Sequence, residues 1–382
     1  MSEQLANSVN DPTPELGRLY ETWSMGGAAV LVTGNVMVSR NALGEPANVV
    51  LDEQADLEAF RRWAAAAKSG GSDVWMQINH PGKQSPNFLS KTPVAPSAIK
   101  LAGLDASFNP PRALEPQEIE DIIEAFAVAA RLAKHTGFDG VQVHCAHGYL
   151  VSQFLSPRHN QRDDEWGGSL ANRMRFLHET LRRVREAVGD GFSLSVKINS
   201  ADFKKGGLER DEALEILKSL DQFNLDVIEI SGGTYESPVM MAAAPKQSTI
   251  EREAYFIEFA RLLKHEISTP LVVTGGFRSV SAMNEALSAG DTAMIGIARP
   301  LNVYPDLPNR AIEDASYRAH MKHLSSGVSY IDRNAMLELY WHERQIKRLG
   351  EGKAPQPDAG VLSALWFMFK NLGAGMFGKR RA

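Results

Sequence analysis

Short apolar runs rich in β-branched residues recur along the chain, and most are followed by a longer stretch whose apolar positions return every three or four residues. The short runs predict strands at 28–33 (AAVLVT), 73–78 (DVWMQI), 139–144, 193–199, 226–231 (DVIEIS), 270–274 and 291–296. The longer ones predict helices near 13–24, 54–69, 116–136, 170–188, 210–223, 252–266 and 278–288. Strands that are almost continuously apolar suit a parallel sheet covered by helices on its outer face. Regular strand–helix alternation points to an α/β fold, a (β/α)8 barrel, rather than an open sheet.

About seven strands are found where a barrel needs eight. The chain opens at Met1-Ser2-Glu3-Gln4-Leu5, which reads as a loop, and a helix follows at once. The first barrel strand is therefore expected to be missing from this chain. The barrel is expected to occupy residues 1–305. Within it, the connection from Asn79 to Glu115 holds Pro81, Pro86, Pro93, Pro96, Pro110 and Pro111 and reads as a lid-like insertion. Residues 306–382 are expected to form a helical extension and tail. The tail, VLSALWFMFKNLGAGMFGKRRA, is apolar and then basic. The simpler expectation is a helix packed on the barrel or on a partner subunit; the sharper one is contact with a membrane surface.

Composition narrows the classes. A net charge of −5 gives no basic footprint for nucleic acid. The single cysteine, Cys145, excludes a disulfide framework and a four-cysteine iron–sulfur cluster. No apolar run approaches the ~20 residues needed to span a bilayer. The first twenty residues are polar, with Pro12 and Pro14, so no cleavable leader is expected and a cytoplasmic enzyme is the default. A homo-oligomer is left open.

The densest chemistry lies between Val141 and Phe176. A strand ends in His144, Cys145, Ala146, His147, Gly148 and Tyr149, the end at which parallel barrels keep their active sites. Two histidines three apart suggest a metal pair, but zinc needs a third protein ligand, and Asp163, Asp164 and Glu165 look suited to loop bonds; no metal is expected. Core histidines are the plain alternative. Paired imidazole N–H groups aimed at one oxygen would polarise an enone carbonyl or bind a phenolate. Tyr149, a phenol of ordinary pKa ~10, is protonated at neutral pH and could give up a proton; the alternative is a packing role. The turns Thr274-Gly275-Gly276-Phe277-Arg278 and Gly296-Ile297-Ala298-Arg299-Pro300 follow the last two strands, where barrels often hold phosphate. No G-x-G-x-x-G follows a strand, so a separate nicotinamide-binding domain is not expected. Tyr235, in the loop after strand 226–231, could shape substrate choice or simply pack.

The same stretch resembles the old yellow enzyme family, the NAD(P)H:flavin oxidoreductases. The family pattern H-x-A-H-G-Y-L…F-L-S-P…N-x-R-x-D-x-[YW]-G-G-S…N-R-x-R-F is matched by His144–Leu150, Phe154–Pro157, Asn160–Ser169 and Asn172–Phe176. The likeness extends from Met1 to about Pro305. It implies an FMN-binding barrel reduced by NADH or NADPH, which then reduces a small activated alkene in ping-pong fashion. It implies that His144 and His147 hold the substrate oxygen and that Tyr149 is the proton donor. It also implies that Gln77 bonds the flavin's pyrimidine edge, Gly34 lets the flavin approach, and Lys197 sits beside its N1 and C2 carbonyl. Gly275, Gly276, Gly296 and Arg299 would hold the phosphate, and Ser2 would lie near the C4 carbonyl. In the family a strand of the type R-I-x-x-A/P-M precedes the opening loop, and Met1-Ser2 align with its end; a start assigned too late, or a truncated product, would explain the missing strand. Two rivals stand beside this reading: a non-redox barrel enzyme built on His144 and His147, and a flavin-free barrel with a binding role.

Overall fold

The computed structural model describes residues 3–202, 206–233, 253–322, 324–328 and 337–372. Its strands are β1 (Val30–Val32), β2 (Val36–Met37), β3 (Asp73–Asn79), β4 (Val94–Ala95), β5 (Arg112–Ala113), β6 (Gly140–Cys145), β7 (Ser193–Asn199), β8 (Val227–Ser231), β9 (Leu271–Thr274) and β10 (Met294–Gly296). Its helices are α1 (Pro14–Met25), α2 (Leu57–Lys68), α3 (Pro116–His135), α4 (Leu150–Leu155), α5 (Leu170–Val188), α6 (Arg210–Leu220), α7 (Ile257–Leu263), α8 (Val280–Ser288), α9 (Leu307–Glu313), α10 (Leu337–Gly350) and α11 (Val361–Leu372).

Every ladder of the main sheet is parallel, and its order is β1-β3-β6-β7-β8-β9-β10, with β2 resuming the line of β1 along β3. Sequential strands pair in sequential order with helices between them, which is the winding of a (β/α)8 barrel. Among the described residues β1 and β10 are the two ends of the sheet, and they do not pair. Their side chains show it. Val32 on β1 is 38% exposed and all of β10 is half-buried, whereas β6 and β8 are buried along their whole length.

Local sequence sets the helix starts. Thr13, Asp56, Ser169 and Ser279 each accept a backbone N–H of the first turn of α1, α2, α5 and α8, worth about 1 kcal/mol apiece. Trp63 of α2 meets Tyr20 of α1 and Phe138 edge-on, at 5.3 and 5.4 Å between ring centres, and so ties two helices to the sheet. At the bottom of the barrel the Asp139 and Asp226 carboxylates accept the N–H groups of the second residues of β3 and β7, Val74 and Leu194. Those bonds fix strand entry and leave the opposite end for chemistry.

Two departures from the sequence pattern have simple causes. The predicted helix 252–266 is realised only as Ile257–Leu263, because Glu253 and Ala254 take positive φ. The stretch after Tyr149, where the periodicity predicts no helix, begins with the fully buried α4, whose Phe154 stacks on Phe176 at 4.3 Å. Six residues are too few to show a helical period.

The insertion after β3 is pinned at both ends. Asn79–Ser85 is buried, and β4 pairs with β5. The Arg162 guanidinium donates to the carbonyls of Pro96 and Leu114 at 2.9 and 2.7 Å. The C-terminal extension also joins the barrel. α10 packs on α1 and on the turn 299–302, and Arg18 donates to the Gly350 carbonyl at 2.8 Å. α11 lies on α10. Among the described residues no helix is long and apolar enough to cross a membrane.

Candidate active site

The parallel register assembles the site. It sets His144 beside Lys197, Lys197 beside Glu229, and Gln77 beside Gln142. These side chains meet inside the sheet's curve as one polar relay. Gln77 Nε2 donates to Gln142 Oε1 at 2.7 Å, Gln142 Nε2 donates to Glu229 Oε2 at 3.0 Å, and Lys197 Nζ lies 2.8 Å from Glu229 Oε1. Burial pushes the Glu229 carboxyl upward, but the Lys197 charge and the bonds from Lys197, Thr274 and Gln142 outweigh it and hold Glu229 below the usual range. The relay ends on an unsatisfied atom: Gln77 Oε1 is buried and has no partner.

His144 closes β6, and the chain then reverses. His147 (φ 61°) and Gly148 (φ 79°) are both left-handed. A non-glycine residue there is strained; the His147 N–H is held by Asn199 Oδ1 at 3.2 Å. The reversal stacks three rings edge to face, with His144 at 5.1 Å from His147 and 4.9 Å from Tyr149. The His144 Nδ1 accepts the Ala146 N–H at 3.2 Å, which leaves the proton of a neutral ring on Nε2. His147 Nε2 is 2.8 Å from Ser231 Oγ, a hydroxyl that can donate to or accept from that ring nitrogen. Burial first holds both imidazoles well below their ordinary pKa; His147 and then Lys197 add to it at His144, and Lys197 adds to it at His147. Both are neutral N–H donors at neutral pH rather than acids. Tyr149 is buried, with Asn35 Nδ2 at 3.4 Å from its hydroxyl.

Gly34 follows β1, and its N–H donates to Glu3 Oε1 at 2.8 Å and to the Tyr20 hydroxyl at 2.9 Å. Tyr20 in turn donates to Glu3. The glycine thus anchors the opening loop to α1. At the other rim, a side chain on Gly276 (φ 95°) would sit 2.8 Å from Ala254 N, and one on Gly296 would strike Thr274 Oγ1 at 1.7 Å. Close chain packing therefore demands glycine at both positions. Gly275 (φ 120°) precedes Gly276 in the same turn. Arg299 is 3.5 Å from Glu338 of α10, and Arg278, donating to its neighbour's carbonyl at 2.6 Å, is held below the ordinary guanidinium value by burial and by Arg299. His342 of α10 faces the same two cations, and burial with their charge pushes it down to about 3. Two cations and a neutral imidazole thus form a cluster at this rim, with the Glu338 carboxylate beside Arg299. The start of α8 is not part of it: Glu253 accepts the Arg278 and Ser279 N–H groups at 2.7 and 3.0 Å and pairs with Arg318.

The structure thus gathers His144, His147, Tyr149, Gln77 and Lys197 around the β6 end, and Gly275, Gly276, Gly296 and Arg299 at the rim after β9 and β10. Ser2 and Tyr235 lie outside the described residues. Sequence reasoning missed Gln142, Glu229 and His342. Glu229 carried a usable signal, a carboxylate in the apolar run VIEIS, which is costly unless paired. His342 carried none, since it reaches the site from beyond the strand–helix repeat.

A profile of the NADH:flavin oxidoreductase / NADH oxidase family matches residues 6–317. The NADH-dependent flavin oxidoreductase iliE of Hypocrea jecorina is 38% identical over 334 residues, 81% of this chain and 82% of that protein. The NADH oxidase of Thermoanaerobacter brockii is 33% identical, over 82% of this chain but 48% of its own length. Among solved structures, the old yellow enzyme homologue of Zymomonas mobilis superposes with a TM-score of 0.71 at 25% identity, covering 84% of this chain and 88% of its own. A 2-naphthoyl-CoA reductase complex gives 0.76 at 27% identity, over 82% of this chain and 49% of that one. The chain belongs to the NADH:flavin oxidoreductase / NADH oxidase family, on a barrel of the old yellow enzyme type.

Proposed function

We propose that this protein reduces the carbon–carbon double bond of a small activated alkene, such as an enone. The broader activity follows from the family: it is an FMN-dependent oxidoreductase that draws electrons from NADH or NADPH. The residues present fit FMN. Gln77 Oε1 is an orphaned buried acceptor suited to the N–H of the flavin's pyrimidine edge, and Lys197 lies in the same polar relay. Arg278 and Arg299, with the glycine turns, suit its phosphate. When bound, FMN supplies two-electron chemistry, taking reducing equivalents from the nicotinamide and passing them to the alkene.

The observation that carries the alkene reading is the pair of neutral imidazoles packed against a phenol. Neutral imidazole N–H groups would hold the substrate's carbonyl oxygen and stabilise the negative charge that gathers there, which draws electron density from the β-carbon. The same neutrality makes them poor proton sources at neutral pH. The Tyr149 hydroxyl would supply the proton to the α-carbon. The buried α4 follows Tyr149 directly, and His144 and Tyr149 are themselves buried.

The test is anaerobic spectroscopy of the purified protein. Its visible flavin bands should bleach with NADH or NADPH and return on addition of cyclohexenone. A flavin that bleaches but stays reduced in excess enone would overturn the alkene assignment.

A further inference from the structure

The proposed chemistry leaves α11 without a task. One face of this helix is fixed: Ala364, Phe367 and Met368 are buried, and Ala364 joins a small core with Val303, Leu324, Leu337 and Trp341. The other face is apolar and open. Leu362 is 82% exposed and Trp366, one helical turn on, is 60% exposed. Phe369, at 48%, borders the same stripe, and the Lys370 ammonium lies 5.3 Å from the centre of the Trp366 ring. Large apolar side chains exposed side by side mark a contact surface more often than a solvated one.

Charge decides which contact. From Val361 to Ala382 the sequence carries Lys370, Lys379, Arg380 and Arg381 and no acidic residue, although the whole chain is at −5. A second copy meeting this face about a twofold axis would bring the same basic set against itself. A surface of anionic lipid satisfies both features: exposed aromatic and aliphatic groups enter the headgroup boundary, and the cations meet negative headgroups. The helix has 12 residues, about 18 Å at 1.5 Å per residue, too short to span a bilayer, so it would lie in the surface plane.

We propose that α11 and the basic residues after it dock this protein on an anionic membrane surface, with Leu362 and Trp366 at the headgroup boundary. The test is flotation of the full-length flavoprotein with vesicles of phosphatidylcholine alone or mixed with phosphatidylglycerol, at low and high salt. The parent should float with the mixed vesicles at low salt and be released by salt. Each basic residue near the surface contributes roughly fivefold, so K379Q/R380Q/R381Q should weaken the partition on the order of 100-fold. L362S/W366S should abolish it, with an unchanged visible spectrum and circular dichroism as the control for folding. Three results would overturn the proposal: no flotation of the parent with anionic vesicles, equal flotation with both lipid mixtures, or a dimer by light scattering that L362S/W366S converts to monomer.

Discussion

The Lys197–Glu229 pair makes the sharpest quantitative test of the site. The two groups are 2.8 Å apart, and their side chains are only 14% and 9% exposed. At an effective dielectric of ~20, that separation gives a gross attraction of about 6 kcal/mol. Withdrawing both charges from water costs several kcal/mol each, so the intact pair adds little net stability. Removing one partner is different. Glu229→Gln leaves a buried ammonium without its counter-charge, and its single amide oxygen must serve both Lys197 and the Gln142 amide, which now bond separate carboxylate oxygens. The expected loss is about 3–5 kcal/mol. Urea unfolding of the flavoprotein at neutral pH, followed by far-ultraviolet circular dichroism, measures it. The double variant K197M/E229L should recover most of the loss, because it buries no charge. The flavin's midpoint potential supplies a second readout: an uncompensated Lys197 should stabilise the anionic reduced flavin and move the potential upward. If Glu229→Gln unfolds within 1 kcal/mol of the parent and its potential is unmoved, the pair does not govern this site.

Three further outcomes are expected. His144→Ala or His147→Ala should weaken phenol binding and enone reduction by on the order of 3 kcal/mol each, while flavin reduction by NAD(P)H suffers less; stopped-flow measurement of the two half-reactions separates these. Tyr149→Phe should slow enone reduction by about 10²–10⁴-fold and spare both flavin reduction and the turnover of a nitroalkene, whose product anion can be protonated later by water; parent-rate reduction of cyclohexenone would remove Tyr149 from its role. Glu343, which accepts from Gln4 at 2.8 Å, is pushed up to about 8, by burial first and then by Glu45. A carboxyl raised in the folded state contributes stability that is complete below its unfolded value of ~4.5 and lost as pH rises through about 8. Glu343→Gln should therefore flatten the decline in melting temperature between those limits and be the more stable form at pH 9; a parallel decline in both proteins counts against the assignment.

The central strands were legible because both faces of β3, β6 and β8 are buried almost throughout, so the apolar runs are continuous and end close to where the ladders do. The helices were legible where a cap residue marks the start, as Asp56 and Ser169 do. The buried α4 was not, because a six-residue apolar segment has no period to read. The His144–Tyr149 cluster could be read from its motif, but its electrostatics could not. That both imidazoles are neutral depends on burial and on Lys197, which reaches them from the neighbouring strand. The reach of α10 to Arg278 and Arg299 was also hidden, since His342 stands in a helix with no repeat to locate it.

A charge inside an apolar strand is costly unless it is paired, and two adjacent strands each carry one, Lys197 in SVKIN and Glu229 in VIEIS. In a parallel barrel neighbouring strands are staggered in a fixed register, and here that register places these two residues opposite each other. Each charge predicts the other. The pairing has a consequence for chemistry, because a lysine held by a carboxylate presents less positive charge than an unpaired one. Gln142 and Gln77 extend the relay, and Gln77 ends it with a bare acceptor aimed at no protein group. The interior polar set is thus neutralised at one end and unsatisfied at the other. The unsatisfied end is the one we propose a bound flavin completes, since a buried acceptor left unmade costs about 1–3 kcal/mol.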